Sequence, residues 1–246
     1  MLELDEYQNK GLLWYGCKND NHICKVSTQY DELDKTLNGG FPAEGIIELK
    51  TPLGIGELRL LFPYLVNKQK AEKQECVFIA PPIQLNAEFL LANGLELTST
   101  LILPVYDEKK ALWATEQALS SGCCSTVVLW QTQLSIKQVR RLMLACERGG
   151  ASLVLIRYTH LQNQKVNHYS NISKTEFLSL PSALSLSLFP DPSGIKVKVD
   201  KQKGGTASKA FVVDMNQKWG ELTTVGQIKL SNESNNVIAF PNIVNN

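Results

Sequence analysis

Between residues 44 and 156, short apolar runs alternate with stretches of helical period. That alternation restricts the chain to a mostly parallel sheet with helices packed on it. The first run is 46–49. A turn at 51–56 follows, then a helical pattern through Leu58, Leu61, Leu65 and Val66. Residues 76–80 read as a buried strand stopped by Pro81 and Pro82, and 87–92 as a short helix ended by Gly94. A third strand is expected at 101–105. Asp107 then caps a helix that runs to Gly122, with Leu112, Thr115 and Leu119 at helical spacing. Residues 126–130 form a fourth strand. Ser135 and Gln138 make a capping box that opens a helix over 136–148, and 152–156 form a fifth strand.

The pattern changes after Tyr158. Residues 160–182 are rich in Asn, Gln and Ser and are too long for an ordinary connection, so they read as a mobile loop. Three segments of period-two alternation follow at 184–189, 195–199 and 210–213. The turn Pro190-Asp191-Pro192-Ser193-Gly194 joins the first two as an antiparallel hairpin. The fold class expected is α/β: a mostly parallel sheet flanked by helices, followed by an antiparallel β extension. Residues 1–27 read as an N-terminal extension, 28–215 as the domain and 216–246 as a C-terminal tail.

A hydrophobic share of 43% in 246 residues supplies the core such a domain needs. Lys and Arg total 25 against 24 Asp and Glu, so a nucleic-acid partner would have to meet a local patch. The first ten residues carry acids and no apolar stretch, no run approaches membrane-spanning length, and the six cysteines are scattered. These features point to a cytoplasmic protein with reduced thiols. Cys17, His22 and Cys24 lie close together, but no second pair completes a tetrahedral set, so no metal site is expected.

The turn at 51–56 stands where a phosphate loop would read G-x-x-x-x-G-K-[ST]. Of those fixed positions Gly56 remains. Glu57 replaces the lysine that would meet the β- and γ-phosphates, and Leu58 replaces the hydroxyl that would hold Mg²⁺. A carboxylate there adds repulsion at a site whose work is neutralising charge. Ala80-Pro81-Pro82 follows the second strand where an acid would activate water, and Trp130 ends the strand whose Asp would position the metal. The expectation is a degenerate loop (Gly54, Gly56, Glu57, Leu58) with no cofactor and no enzymatic activity. His22, His160 and His168 lack a nucleophile context, and no cation flanks Cys123-Cys124 to lower a thiol pKa.

Tyr30-x-x-Leu33-Asp34-x-x-Leu37-x-Gly39-Gly40-Phe41-Pro42-x-x-Gly45 resembles the segment that precedes the phosphate loop in RecA-like proteins. Leu13-Trp14-Tyr15-Gly16, Gly54-Ile-Gly-Glu-Leu-Arg59-Leu-Leu61, Ile79-Ala-Pro-Pro82, the run 111–122, Arg140-Arg-Leu142 and Lys201-Gln-Lys-Gly-Gly205 are similar to motifs of the ImuA family. A weaker resemblance, across about 75–158, is to the cell-division inhibitor SulA. The ImuA resemblance implies a RecA-like, non-catalytic adaptor in SOS-associated translesion synthesis. Its implied partners are ImuB, an inactive polymerase relative, an error-prone replicative-type polymerase, and RecA. The SulA resemblance implies instead a division inhibitor that binds the tubulin-like FtsZ.

Several segments are candidate surfaces, each with a plainer reading. Lys201 and Lys203 resemble the basic segment that crosses subunits in RecA filaments, but fit better as charges that block hairpin-edge pairing. Arg140 and Arg141 share a helix face with Lys137 and Arg148, either a solvated face or a contact for an acidic partner. Lys165, His168, Tyr169 and Lys174 make a thin cation–aromatic mixture for single-stranded DNA. The run 185–189 resembles a sliding-clamp peptide, but its alternation is that of a core strand. Phe240, in the apolar patch 237–241, is a candidate docking residue for ImuB.

Overall fold

The structure, a computed structural model, describes residues 24–158, 179–216 and 218–219. A short ribbon, β1 (Lys25–Val26) with β2 (Phe41–Pro42), brackets helix α1 (Asp31–Thr36). Then come β3 (Gly45–Thr51), α2 (Glu57–Glu72), β4 (Glu75–Ile79), α3 (Ala87–Ala92) and β5 (Thr100–Leu103). Helix α4 (Glu108–Ser120), β6 (Cys124–Trp130), α5 (Ile136–Gly149) and β7 (Ser152–Tyr158) continue the alternation. Three strands close the described chain: β8 (Leu184–Asp191), β9 (Gly194–Gln202) and β10 (Phe211–Asp214).

One eight-stranded sheet runs in the order β10-β9-β8-β3-β7-β6-β4-β5. Every pair from β8 to β5 is parallel, and β9 and β10 are antiparallel. The antiparallel extension therefore starts one strand later than its alternation suggests. Strand β8 joins β3 in parallel register, Ile47 opposite Leu184, and so belongs to the parallel core. Leu184, Leu186 and Leu188 are buried, which leaves no free clamp-type peptide at 185–189.

Both faces of the sheet are covered, which is why β6 is buried along its whole length. Helix α2 packs Leu60, Leu61, Tyr64 and Leu65 on one face against Ile47, Leu49, Phe78 and Val154. Helices α4 and α5 cover the other face through Ala111, Leu119, Val139 and Leu142. The caps follow the local chemistry: Asp107 accepts from Lys110 N at 2.8 Å, and Ser135 and Gln138 form the capping box.

Two boundaries lie elsewhere than the sequence suggests. Leu180 and Ser182, at the far end of the polar segment, are buried, and Ala183 N donates to Ile46 O at 2.9 Å. Trp219 is 9% exposed and packs against Phe62 and Phe89, so the packed region runs past residue 215. No described helix is long and apolar enough to cross a membrane.

Candidate functional site

Strand β3 delivers the chain to the turn at 51–56, which is built on two left-handed glycines. Gly54 has φ 79° and Gly56, the N-cap of α2, has φ 98°. A side chain at Gly56 would be strained whatever the space around it. Leu58 is half-buried and packs on the core, so its position contributes apolar contact. Glu57 is 6% exposed, with its Oε1 3.5 Å from the Tyr158 hydroxyl at the end of β7. Burial pushes the Tyr158 hydroxyl up, and the Glu57 carboxylate adds to that.

Ala80 and Trp130, at the ends of β4 and β6, serve packing and backbone pairing. Ala80 leaves β4 with φ 55°, its N–H held by Leu103 O at 2.9 Å. The Trp130 ring stacks on Phe78 with centroids 6.1 Å apart. Asp191 and Gly194 of the β8–β9 turn join the glycine turn, Glu57 and Arg59 around a cavity of about 480 Å³. Arg59 lies over the Trp219 ring at 5.7 Å. No local signal announces this convergence, because Glu57, Tyr158 and Asp191 meet only through strand order.

A second polar cluster is more tightly built. Glu48, 1% exposed on β3, meets Arg157 of β7 at 2.5 Å, Ser185 Oγ at 2.7 Å and Lys50 at 3.9 Å. Lys50 continues to Asp200 at 3.4 Å. The sequence signal was present: an acid and an arginine each sit inside an apolar strand, where an unpaired charge is costly.

Lys201 and Lys203 are exposed and do not approach the degenerate loop. They line a separate cavity of about 590 Å³ with Glu44, Glu147 and Ser182. Lys201 lies seven residue steps along β9 from Gly194, roughly 23 Å at about 3.3 Å per step. On α5, Arg140 is exposed and Arg141 pairs with Glu116 of α4 at 2.5 Å, so part of that basic row is spent on a neighbouring helix. Phe240, Cys17, His22, His160, His168, Lys165, Tyr169 and Lys174 lie outside the described residues. Among the described residues no group of three or more acidic, His or Cys side chains could hold a metal.

No protein-family model matches the chain. It is 30% identical over 99 residues to the cell division inhibitor SulA of Photorhabdus laumondii, matching 40% of this chain and 55% of that protein. It is 35% identical over 103 residues to the cell division inhibitor SulA of Pseudomonas aeruginosa, matching 41% of this chain and 63% of that protein. The crystal structure of SulA from Pseudomonas aeruginosa aligns with a TM-score of 0.42 at 32% identity, covering 46% of this chain and 98% of that one.

The two sequence likenesses to curated SulA proteins overturn the reading as a translesion-synthesis adaptor, and with it ImuB, the error-prone polymerase and RecA as partners. The motifs behind that reading serve the scaffold. In the run 111–122, Ala111, Thr115 and Leu119 are buried under α4, and Leu60 and Leu61 are buried under α2. Residues that build a helix–sheet interface say little about what binds outside it. The chain spans a little over half the length of the curated relatives it matches, and both of those relatives are cell division inhibitors.

Proposed function

We propose that the chain is a cell-division inhibitor that acts by binding, without catalysis, and that its target is the tubulin-like protein FtsZ. The observation that carries this is the pair of likenesses to SulA proteins, at 30% and 35% identity over about 100 residues. The scaffold is read as a degenerate RecA-like core. The strand–glycine turn–helix at β3 and α2 supports that descent, and the residues standing where phosphate, metal and water would be held support a purely binding role.

Exposed large apolar side chains lie in the segment whose sequence resembles SulA, about 75–158. Ile83 is 64% exposed, Tyr106 94% and Trp113 64%, with Leu91 and Leu101 also exposed. Large apolar side chains left in water on one segment suit a protein partner better than a small substrate.

The test is induced expression in a rod-shaped bacterium, with cell length scored and FtsZ sought among co-purified proteins. Filamentation with FtsZ recovered supports the reading, and Trp113→Ala should weaken recovery about tenfold, the ordinary range for a buried aromatic anchor. Normal division with no FtsZ bound would sink it.

A further inference from the structure

The two buried carboxylates among the described residues, Glu48 and Glu57, are treated very differently. Glu48 has a guanidinium at 2.5 Å, a hydroxyl at 2.7 Å and an ammonium at 3.9 Å. Glu57 is nearly as buried, yet its hydrogen-bond partner is the Tyr158 hydroxyl at 3.5 Å, and no ion pair reaches it among the described residues. The first turn of α2 offsets some of that charge, because backbone N–H groups point toward it. A carboxylate removed from water still gains most from a cation.

Glu57 does not face a closed core. It lines the cavity of about 480 Å³, and Asp191 lines the same cavity. Asp191 is held ionised by Ser193, whose hydroxyl and N–H both donate to it at 2.8 and 3.1 Å, which lowers its pKa. Ile55, Leu58, Phe89 and Met215 add apolar lining to the same cavity. The cation of the lining, Arg59, is engaged by the Trp219 face. Two acids and several apolar side chains around one cavity match a side chain with an apolar stem and a charged head. A phosphate would lack the lysine and hydroxyl partners of a working loop, since those positions hold Glu57 and Leu58.

We propose that the cavity at the degenerate phosphate loop is a receptor for a single cationic side chain, arginine or lysine, presented by a protein ligand. The site has kept the glycine turn that lets a ligand approach the backbone and has reversed the charge it selects. This inference stands independently of the division-inhibitor reading.

The test is a titration of the purified full chain, followed by backbone amide chemical shifts, with N-acetyl-L-arginine amide and N-acetyl-L-lysine amide as probes. N-acetyl-L-citrulline amide serves as the neutral control of the same shape. The expected result is salt-sensitive shifts confined to 54–59 and 191–194 with a cationic probe and not with citrulline. Glu57→Gln should weaken binding about tenfold or more, the loss expected when a charged acceptor becomes neutral. Asp191→Asn, which keeps an Oδ1 acceptor for Ser193, should weaken it less. Absent shifts with both cationic probes, equal response to citrulline, or saturable shifts of the same amides by ATP would each overturn the proposal.

Discussion

The Tyr30 hydroxyl donates to the Arg59 carbonyl at 3.0 Å. Pro63 lies inside α2, four residues after Arg59, and has no N–H to give that carbonyl. Tyr30 supplies the missing donor from outside the helix, and Trp219 Nε1 donates to the Tyr30 oxygen at 3.0 Å. A proline that should break the helix is thus accommodated by two residues that flank the domain in sequence.

Tyr30→Phe leaves the Arg59 carbonyl and the Trp219 N–H without these partners. The expected cost is about 1–3 kcal/mol of unfolding free energy, read from urea denaturation. Tyr30→Phe combined with Pro63→Ala, which restores a helical donor, should recover part of it. No recovery would show that Tyr30 acts through packing alone.

Arg157→Met removes the guanidinium from the buried Glu48 and should destabilise by about 3–5 kcal/mol. The paired change Glu48→Leu with Arg157→Met should cost much less, because no buried charge is then left uncompensated. Equal losses in the single and double variants by the same denaturation would refute the pairing account.

Gly149 ends α5 against the last turn of α4, where an added Cβ would lie 1.9 Å from the Leu119 carbonyl oxygen. Backbone cannot yield as a flexible side chain does, so Gly149→Ala should prise the two helices apart. A loss of about 1–3 kcal/mol is expected, the range for overpacking. A melting temperature at or above that of the parent would contradict it.

Burial pushes the Cys76 and Cys146 thiols up to about 12, from an ordinary value of 9.0. In the window between, the unfolded chain releases protons that the folded chain keeps, so stability should fall as pH rises from about 9 toward 12. Cys24 and Cys123 are exposed. Iodoacetamide at neutral pH should modify them in the native protein, while Cys76 and Cys146 react only after denaturation. Peptide mass mapping checks both statements, and early labelling of Cys76 would overturn the burial argument.

Much of the framework was legible from local pattern. Asp107, Ser135 and Gln138 mark helix starts because a cap depends on residues three positions apart. The alternation at Leu184, Leu186 and Leu188 identifies a half-core strand for the same reason. What that pattern could not reveal was its partner, since parallel and antiparallel pairing present similar alternation, and β8 joins β3 across more than a hundred residues. Trp219 looked like the start of a tail because its contacts, Tyr30, Phe62 and Phe89, are all remote in sequence. The functional reading failed where scaffold motifs were taken for partner motifs.

By itself the sequence determined the α/β class, the places where helices begin, and the presence of a carboxylate and an apolar side chain, Glu57 and Leu58, at the first turn after the glycines. These follow from hydrogen-bonding geometry over a few residues and from the charge of single side chains. Tertiary structure alone decided that Glu48 would be neutralised by Arg157 while Glu57 would face an open cavity beside Asp191. Both are acids in apolar surroundings near the same strand. Which of them receives a cation depends on the order of strands in the sheet, and that order is set by the packing of the whole chain.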